Sequence, residues 1–450
     1  MSETRSLYEK RKAIHPKPVN GRSQKQRRTV AGFFYGLFFL FPWLHIDQKP
    51  LILIDITHRQ AHFFQLVFMP QDVMLIAWFF ILATITLFLF TTIAGRLWCG
   101  FLCPQTIWTM AFIWVEEKIQ GPALSRKKAN TGKKTRRFYQ QKLFTHCAWL
   151  IIAFYTSLSF LGYFYPIYDF IKDIGTFNLS YTALFWLLLF TWLTYVDAGL
   201  LREQVCIHMC PYAKFQSVMY DEDTLIVAYD ASKGEPRGSL KSSGKGGCID
   251  CSLCVQVCPT GIDIRDGLQI DCINCGLCVD ACDQVMESIG RDNDLIGFNT
   301  QKQLNGGKLS IIRPKTIAYS LIIILLFSLL SYQVVHRSVW QASIVRERDR
   351  IHRFSKQGEI SNHYRLKVTN KTNQAQHYRI DMNMTDYRLI KPPTFVVEPF
   401  QTVEKELIVM SLPKTVGSYP IEFELTDLQT QTIVERLESR YLSPQITKNN

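Results

Sequence analysis

Eight cysteines between positions 248 and 282 constrain this chain more than any other feature. Cys248, Cys251, Cys254 and Cys258 are spaced C-x2-C-x2-C-x3-C and are followed by Pro259. Cys272, Cys275, Cys278 and Cys282 repeat the spacing. Three close thiolates wrap three corners of a cubane, and in two-cluster ferredoxins the fourth ligand comes from the other motif. The spacing therefore assigns Cys248, Cys251, Cys254 and Cys282 to one [4Fe–4S] cluster, and Cys272, Cys275, Cys278 and Cys258 to a second. Zinc also takes four thiolates from C-x2-C knuckles. It does not account for further cysteines at x2 and x3, twice over. Between the motifs, Ile262 and Ile264, then Leu268 and Ile270, alternate with polar residues around Asp266-Gly267, which predicts a small hairpin. Asp283 stands where the second motif would carry proline, leaving the turn after Cys282 open.

Apolar residues are concentrated in blocks. Val30–Ile46, Val73–Ala94, Leu143–Tyr168, Tyr181–Leu201 and Thr316–Val335 read as five transmembrane helices. Basic residues set their direction. Nine Lys and Arg fall in residues 1–29 and ten in 95–143, against two in 47–71 and one in 169–180. The N-terminus and the 202–315 loop are expected in the cytoplasm, and the segment after residue 337 outside. The net charge of +13 is spent beside these spans, so it points to topology and anionic lipid rather than nucleic acid. All thirteen cysteines lie at or before position 282, on the reducing side in this topology.

Two further cysteine pairs are alike. Cys99 and Cys103 precede Pro104, and Cys206 and Cys210 precede Pro211, each as C-x3-C-P after a span running inward. Cysteines four apart share a helix face, and two such helices would offer four thiolates to one metal. Soft thiolates favour Cu(I), and His208 and Met209 lie inside the second pair as further ligands. Core packing, a reversible dithiol–disulfide couple, or an additional iron–sulfur cluster are the competing readings. Cys147, alone in the third span, reads as core. His58 and His62 are four apart in an outward loop and form a weaker metal candidate.

The segment Gln105–Gly121 reads as a helix at the cytoplasmic interface or as core packing among the spans. Six parts follow: a basic N-terminal segment (1–29), a four-helix membrane region (30–231), a flexible Gly/Ser/Lys-rich tether (232–247), a ferredoxin domain (248–300), a fifth span (316–335) and an external domain (337–450). In the last, Tyr364–Val368, His377–Met382, Thr394–Val397, Thr402–Met410 and Pro420–Leu425 are strand candidates, and their regular spacing suggests a β-sandwich. No dinucleotide fingerprint follows a strand, so no built-in NAD or flavin site is expected. The electron donor is unnamed by the sequence.

Together these residues resemble the cytochrome c oxidase accessory protein family CcoG, also called RdxA or FixG. The most specific pieces are Arg96–Thr106, Cys206–Gln216, Thr224–Asp230 with Lys233–Gly238, the double ferredoxin motif with its Asp283 variant, and Asn362–Asn370. The resemblance covers nearly the whole chain. It implies a multi-pass protein of the bacterial inner membrane with an immunoglobulin-like domain in the periplasm. It also implies a cupric reductase that turns Cu(II) into Cu(I) for assembly of cbb3-type oxidase. Copper chaperones or a copper-exporting ATPase and oxidase assembly factors would then be partners. An alternative is a quinol-oxidising membrane polyferredoxin similar to NapH and NosR, which passes electrons to a respiratory partner. A scaffold stabilised by its clusters is a third.

Overall fold

The computed structural model describes residues 14–46, 49–57, 59–64, 66–239, 246–338, 340–347, 353–354, 359–382, 384–390, 394–412 and 415–443. The chain divides into two compact units, Met1–Ser331 and Tyr332–Asn450.

Five helices of the described residues are long and apolar enough to cross a membrane: Val73–Ala94, Leu97–Gln120, Arg136–Leu161, Tyr181–Leu201 and Pro314–Val335. The number matches the sequence reading, but the set differs. Val30–Ile46 is not among them. The helix there, α1 (Arg22–Leu40), starts earlier and draws in Lys25, Arg27 and Arg28. It is followed by a 3-10 turn, Phe41–Trp43, with Pro42 at its start. Proline has no N–H to continue the ladder.

Helix α2 (Val73–Ala94) stops at Gly95, whose φ of 54° and ψ of -126° break the helical path. A short helix α3 (Leu97–Phe101) and then α4 (Pro104–Gln120) follow. The latter is the segment read as interfacial or core. Its Phe112 and Val115 are buried with Trp149 and Ala198, so it packs among the apolar helices. Helix α5 (Arg136–Leu161) is N-capped by Thr135, which accepts from Phe138 N. Ser180 caps α6 (Tyr181–Thr194) in the same way, through Ala183 N. The last turns after α6 widen to π geometry over Tyr195–Leu201 and again over Val205–Met209. Helix α7 (Pro211–Met219) follows.

The dicluster module is larger than residues 248–300. Strand Ile226–Tyr229 pairs antiparallel with Ile296–Asn299, and all four residues of the first are buried. No strand forms in 259–272, so the expected hairpin is absent. Ile264–Asp266 is a 3-10 turn instead. Local side chains decide this: Asp263 accepts from the Arg265 backbone N, and the Arg265 guanidinium reaches Asp263 and Asp250. Ile264 is buried, whereas Leu268 and Ile270 are exposed, so no apolar hairpin face exists. Helix α8 (Leu277–Ser288) runs straight through Cys282 and Asp283. A proline at 283 would remove a helical hydrogen bond there. The stretch read as a tether is partly ordered. Gly247 N donates to Lys233 O at 2.7 Å and Gly246 N to Pro236 O at 3.0 Å, while 240–245 lie outside the described residues.

In the second unit, two antiparallel sheets face each other. One carries Ile360–Asn370 between Trp340–Arg346 and Thr402–Ser411, with Arg388–Leu389 and Arg353–Phe354 at its margins. The other orders Thr394–Val397, Gln376–Asp381, Gly417–Asp427 and Thr432–Ser443. All five strand candidates fall on these strands. Trp340–Arg346 and Thr432–Ser443 escape the sequence reading. The core between the sheets includes Tyr364, Leu366, Val368, Ile380, Phe423 and Tyr441, all buried.

Candidate functional site

Two small cavities lie in the dicluster module. One is lined by Cys248, Cys251, Cys254 and Cys282. The other is lined by Cys258, Cys272, Cys275 and Cys278. Cysteines 258 and 282 thus cross over between motifs, and Cys254 reaches both cavities. The two loops share a backbone. Asp250 (φ 55°) corresponds to Asn274 (φ 52°), and Ser252 (φ 54°) to Gly276 (φ 72°). Left-handed residues interleaved with others make concave arrays of N–H groups that suit an anion. Asp, Asn and Gly are the residues that adopt this conformation at least cost.

Sulfur spacing tests the cofactor. A tetrahedral zinc ion, with Zn–S of about 2.3 Å, holds its sulfurs only about 3.8 Å apart. Among the described residues, no three cysteine sulfurs lie within 4.8 Å of one another. At least four cysteines line each cavity, enough to supply one thiolate to each iron of a cubane. Burial pushes the Cys272 and Cys282 thiols up to about 12 and Cys254 to about 11, so each sheds a proton on binding metal.

The two C-x3-C-P segments fold alike. Cys99 lies in α3 and Cys206 in the π turn Val205–Met209. Cys103 and Cys210 are extended, with ψ of 125° and 112°, and each directly precedes the proline that opens the next helix. The residue before proline is steered out of the helical region, and proline suits the first helical position. The expected continuous helix face through both cysteines is therefore broken at the second. The four share one neighbourhood, since Cys103 and Cys210 act electrostatically on both Cys99 and Cys206, but among the described residues no three of their sulfurs lie within 4.8 Å of one another. Burial, then the neighbouring Cys103, pushes the Cys206 thiol up to about 12. Cys99 Sγ donates to Gln216 Oε1 at 3.2 Å. His208 and Met209 are exposed, and among the described residues His208 joins no group of three ligand atoms. The widened turn carries both outward. Cys147 is exposed on α5 rather than in the core. His62 sits in the strand Gln60–Phe63, and His58 lies outside the described residues.

The first thiol pair and the module are in contact. A side chain at Gly100 would meet the backbone of Ile273, Asn274 and Cys275 at 2.7 to 3.0 Å. Cys99 packs on the apolar group formed by Val19, Val257, Ile273, Cys275, Leu277 and Ala281. Arg96 donates to the carbonyls of Ile270 and Ala213. Asn274 donates toward Ala94 O and Leu225 O at 3.5 Å, and Asp280 accepts from Ser23 N and Gln24 N at the start of α1 at 2.9 and 2.8 Å. Lys17 N donates to Gln256 O at 2.8 Å.

A buried ionic group beside the second pair was missed from sequence. Glu116 Oε2 accepts from Arg126 at 2.8 Å and from Arg202 at 3.0 Å. Arg202 also lies over the Trp149 ring at 5.3 Å. Three charges flanking apolar blocks were the available signal, since buried charges need partners. In the second unit, Glu347, His363 and Glu406 bring three ligand atoms within 4.8 Å. They are engaged already: His363 Nδ1 is 2.9 Å from Glu406, and Arg365 donates to Glu347 at 3.0 Å.

Comparison with known proteins agrees with this layout. The family model "4Fe-4S dicluster domain" matches residues 201–301, "4Fe-4S binding domain" matches 76–122, and an "IG-like fold at C-terminal of FixG" matches 330–444. RdxB of Cereibacter sphaeroides is 34% identical over 455 residues, covering 95% of this chain and 94% of that protein. RdxA of the same organism is 32% identical over 439 residues, with 94% of each covered. The nitrogen fixation protein FixG of Rhizobium meliloti is 34% identical over 305 residues, 65% of this chain and 58% of that one. The chain therefore belongs to the RdxA, RdxB and FixG family of iron–sulfur proteins.

Proposed function

We propose that this protein is a membrane electron-transfer oxidoreductase that reduces Cu(II) to Cu(I) at the four cysteines of its C-x3-C-P segments. Cys248, Cys251, Cys254 and Cys282 would hold one [4Fe–4S] cluster, and Cys258, Cys272, Cys275 and Cys278 the other. Such clusters, when bound, supply one-electron transfer at a tunable potential. Continuity carries the reading. Cys254 belongs to both cavities, and Cys99 packs on the group that contains Cys275.

The residues of the C-x3-C-P site suit the copper substrate. Each Cu(II) takes up one electron. The product, Cu(I), prefers sulfur in low coordination, so two of the four thiolates suffice to retain it. Gly100 packs directly against the Cys275 loop, which supports a short path between the two sites. The hydrogen bond from Lys17 N to Gln256 O supports a reading in which the N-terminal segment and the module share one side of the membrane. The basic loops favour the cytoplasm of a bacterial inner membrane for that side, with the immunoglobulin-like domain in the periplasm. Cu(I) would then pass to a copper-exporting ATPase or chaperone for assembly of a cbb3-type oxidase, as the family resemblance implies.

A second reading gives Cys99, Cys103, Cys206 and Cys210 a third cluster. The match of a 4Fe–4S binding model to residues 76–122 favours it. Anaerobic purification separates the two. Two clusters correspond to about eight iron atoms per chain and three to about twelve. Protein reduced and then freed of reductant should convert added Cu(II) to Cu(I), captured by a colorimetric Cu(I) chelator. Absence of Cu(I) from cluster-replete protein would refute the copper reading.

A further inference from the structure

A cavity of about 540 Å³ opens between the N-terminal segment, α1, α4 and the dicluster module. Its wall is mostly apolar, with Ala31, Ile107, Ile113 and Trp114 on it. Two hydroxyls on that wall, Tyr35 Oη and Thr109 Oγ1, are buried without a hydrogen-bond partner. A buried unpaired hydroxyl is costly, and a ligand oxygen would relieve it. A lipid acyl chain fills apolar space but brings no oxygen to these groups.

The cavity also borders the redox centre. Pro259, Thr260, Ile273 and Leu277 line both it and the cavity of Cys258, Cys272, Cys275 and Cys278. One layer of residues separates the two spaces. Cys206 reaches the same wall. An occupant must be apolar enough to enter from a membrane, must carry oxygens for two hydroxyls, and sits where electrons can cross a single layer. Those requirements describe a hydroquinone.

We propose that this cavity binds a membrane quinol, which is the electron donor of the protein. The proposal rests on the electron-transfer reading and names its donor. Oxidation of the quinol to the quinone releases two electrons and two protons. The electrons would pass one at a time to the iron–sulfur cluster that Cys258, Cys272, Cys275 and Cys278 would hold across the shared wall. The protons go to the wall carboxylates Glu117 and Glu203 and from there to water.

The test uses the full chain in phospholipid nanodiscs, with decylubiquinone as probe and binding read by equilibrium dialysis and tryptophan quenching. Saturable binding near one quinone per chain is expected. Tyr35→Phe deletes a hydroxyl and Thr109→Val replaces one with a methyl of similar size, and each should weaken binding about tenfold with iron content unchanged. Unaltered affinity in the double variant, or a co-purifying phospholipid that quinone does not displace, would overturn the site. Reduction of the protein by dithionite bypasses the donor. Cu(I) formation by dithionite-reduced protein that binds no quinone would sink this proposal alone, whereas quinone binding without Cu(I) formation would sink the copper reading alone.

Discussion

The two C-x3-C-P segments form the same turn, yet they are held from opposite sides. Four residues before the first cysteine stand Gly95 (φ 54°, ψ -126°) in one and Arg202 (φ 50°, ψ -117°) in the other. The first segment is gripped by the dicluster module: a Cβ at Gly95 would meet the Asn274 amide at 2.7 Å, and Gly100 abuts the Cys275 loop. The second is gripped by the apolar helices. Arg202 N donates to Asp197 O at 2.8 Å, its Nε to Gly199 O at 3.0 Å and its Nη2 to Glu116. Where another backbone must come close, glycine takes the left-handed position without cost. Where a buried carboxylate must be met, arginine takes it, and its contacts offset the strain. Similar turns can therefore be built by two environments, one against the dicluster module and one among the apolar helices.

If the segments are halves of one site, losing either pair should be equally severe. Cys99→Ser with Cys103→Ser, and Cys206→Ser with Cys210→Ser, should each abolish copper binding while the dicluster signals persist in paramagnetic resonance. Unequal effects would show that one pair alone binds. Next in size, Arg202→Ala leaves Glu116 with less compensation in a buried site, at a cost of about 3–5 kcal/mol. Thermal unfolding in detergent would report it, and Arg202→Lys should restore only part, because it lacks the planar fork. Gly95→Ala forces a Cβ into a left-handed residue, about 1–3 kcal/mol, and presses on Asn274. The expected sign is faster proteolytic release of the dicluster module, with α5 and α6 unaffected. Asp280→Asn is the mildest change. It weakens the charged acceptor at the start of α1 by about 1 kcal/mol, loosening the module side and leaving the Arg202 side as it was.

Sequence was most informative where chemistry acts over short spacings. The grouping of Cys258 with Cys272, Cys275 and Cys278 is read from the two-cluster ferredoxin pattern, and all four line one cavity together with Cys254. Helix Val73–Ala94 is legible end to end, because it is uncharged and closes on a glycine. Long-range partners were illegible. The start of α1 at Arg22 depends on Asp280, 257 positions from Ser23. The Ile264–Asp266 turn replaces a hairpin because Arg265 finds Asp250. The Glu116–Arg126–Arg202 group joins three elements that no periodicity links.

The most direct measurement follows the electron itself. Wild-type protein and the Cys206→Ser/Cys210→Ser variant are reduced anaerobically, freed of reductant and mixed with Cu(II), while the reduced iron–sulfur signal is monitored by paramagnetic resonance. The expected result is rapid loss of that signal with formation of Cu(I) in the wild type, and persistence of the signal in the variant. Oxidation of the variant by copper at the wild-type rate would contradict passage of electrons through the C-x3-C-P cysteines.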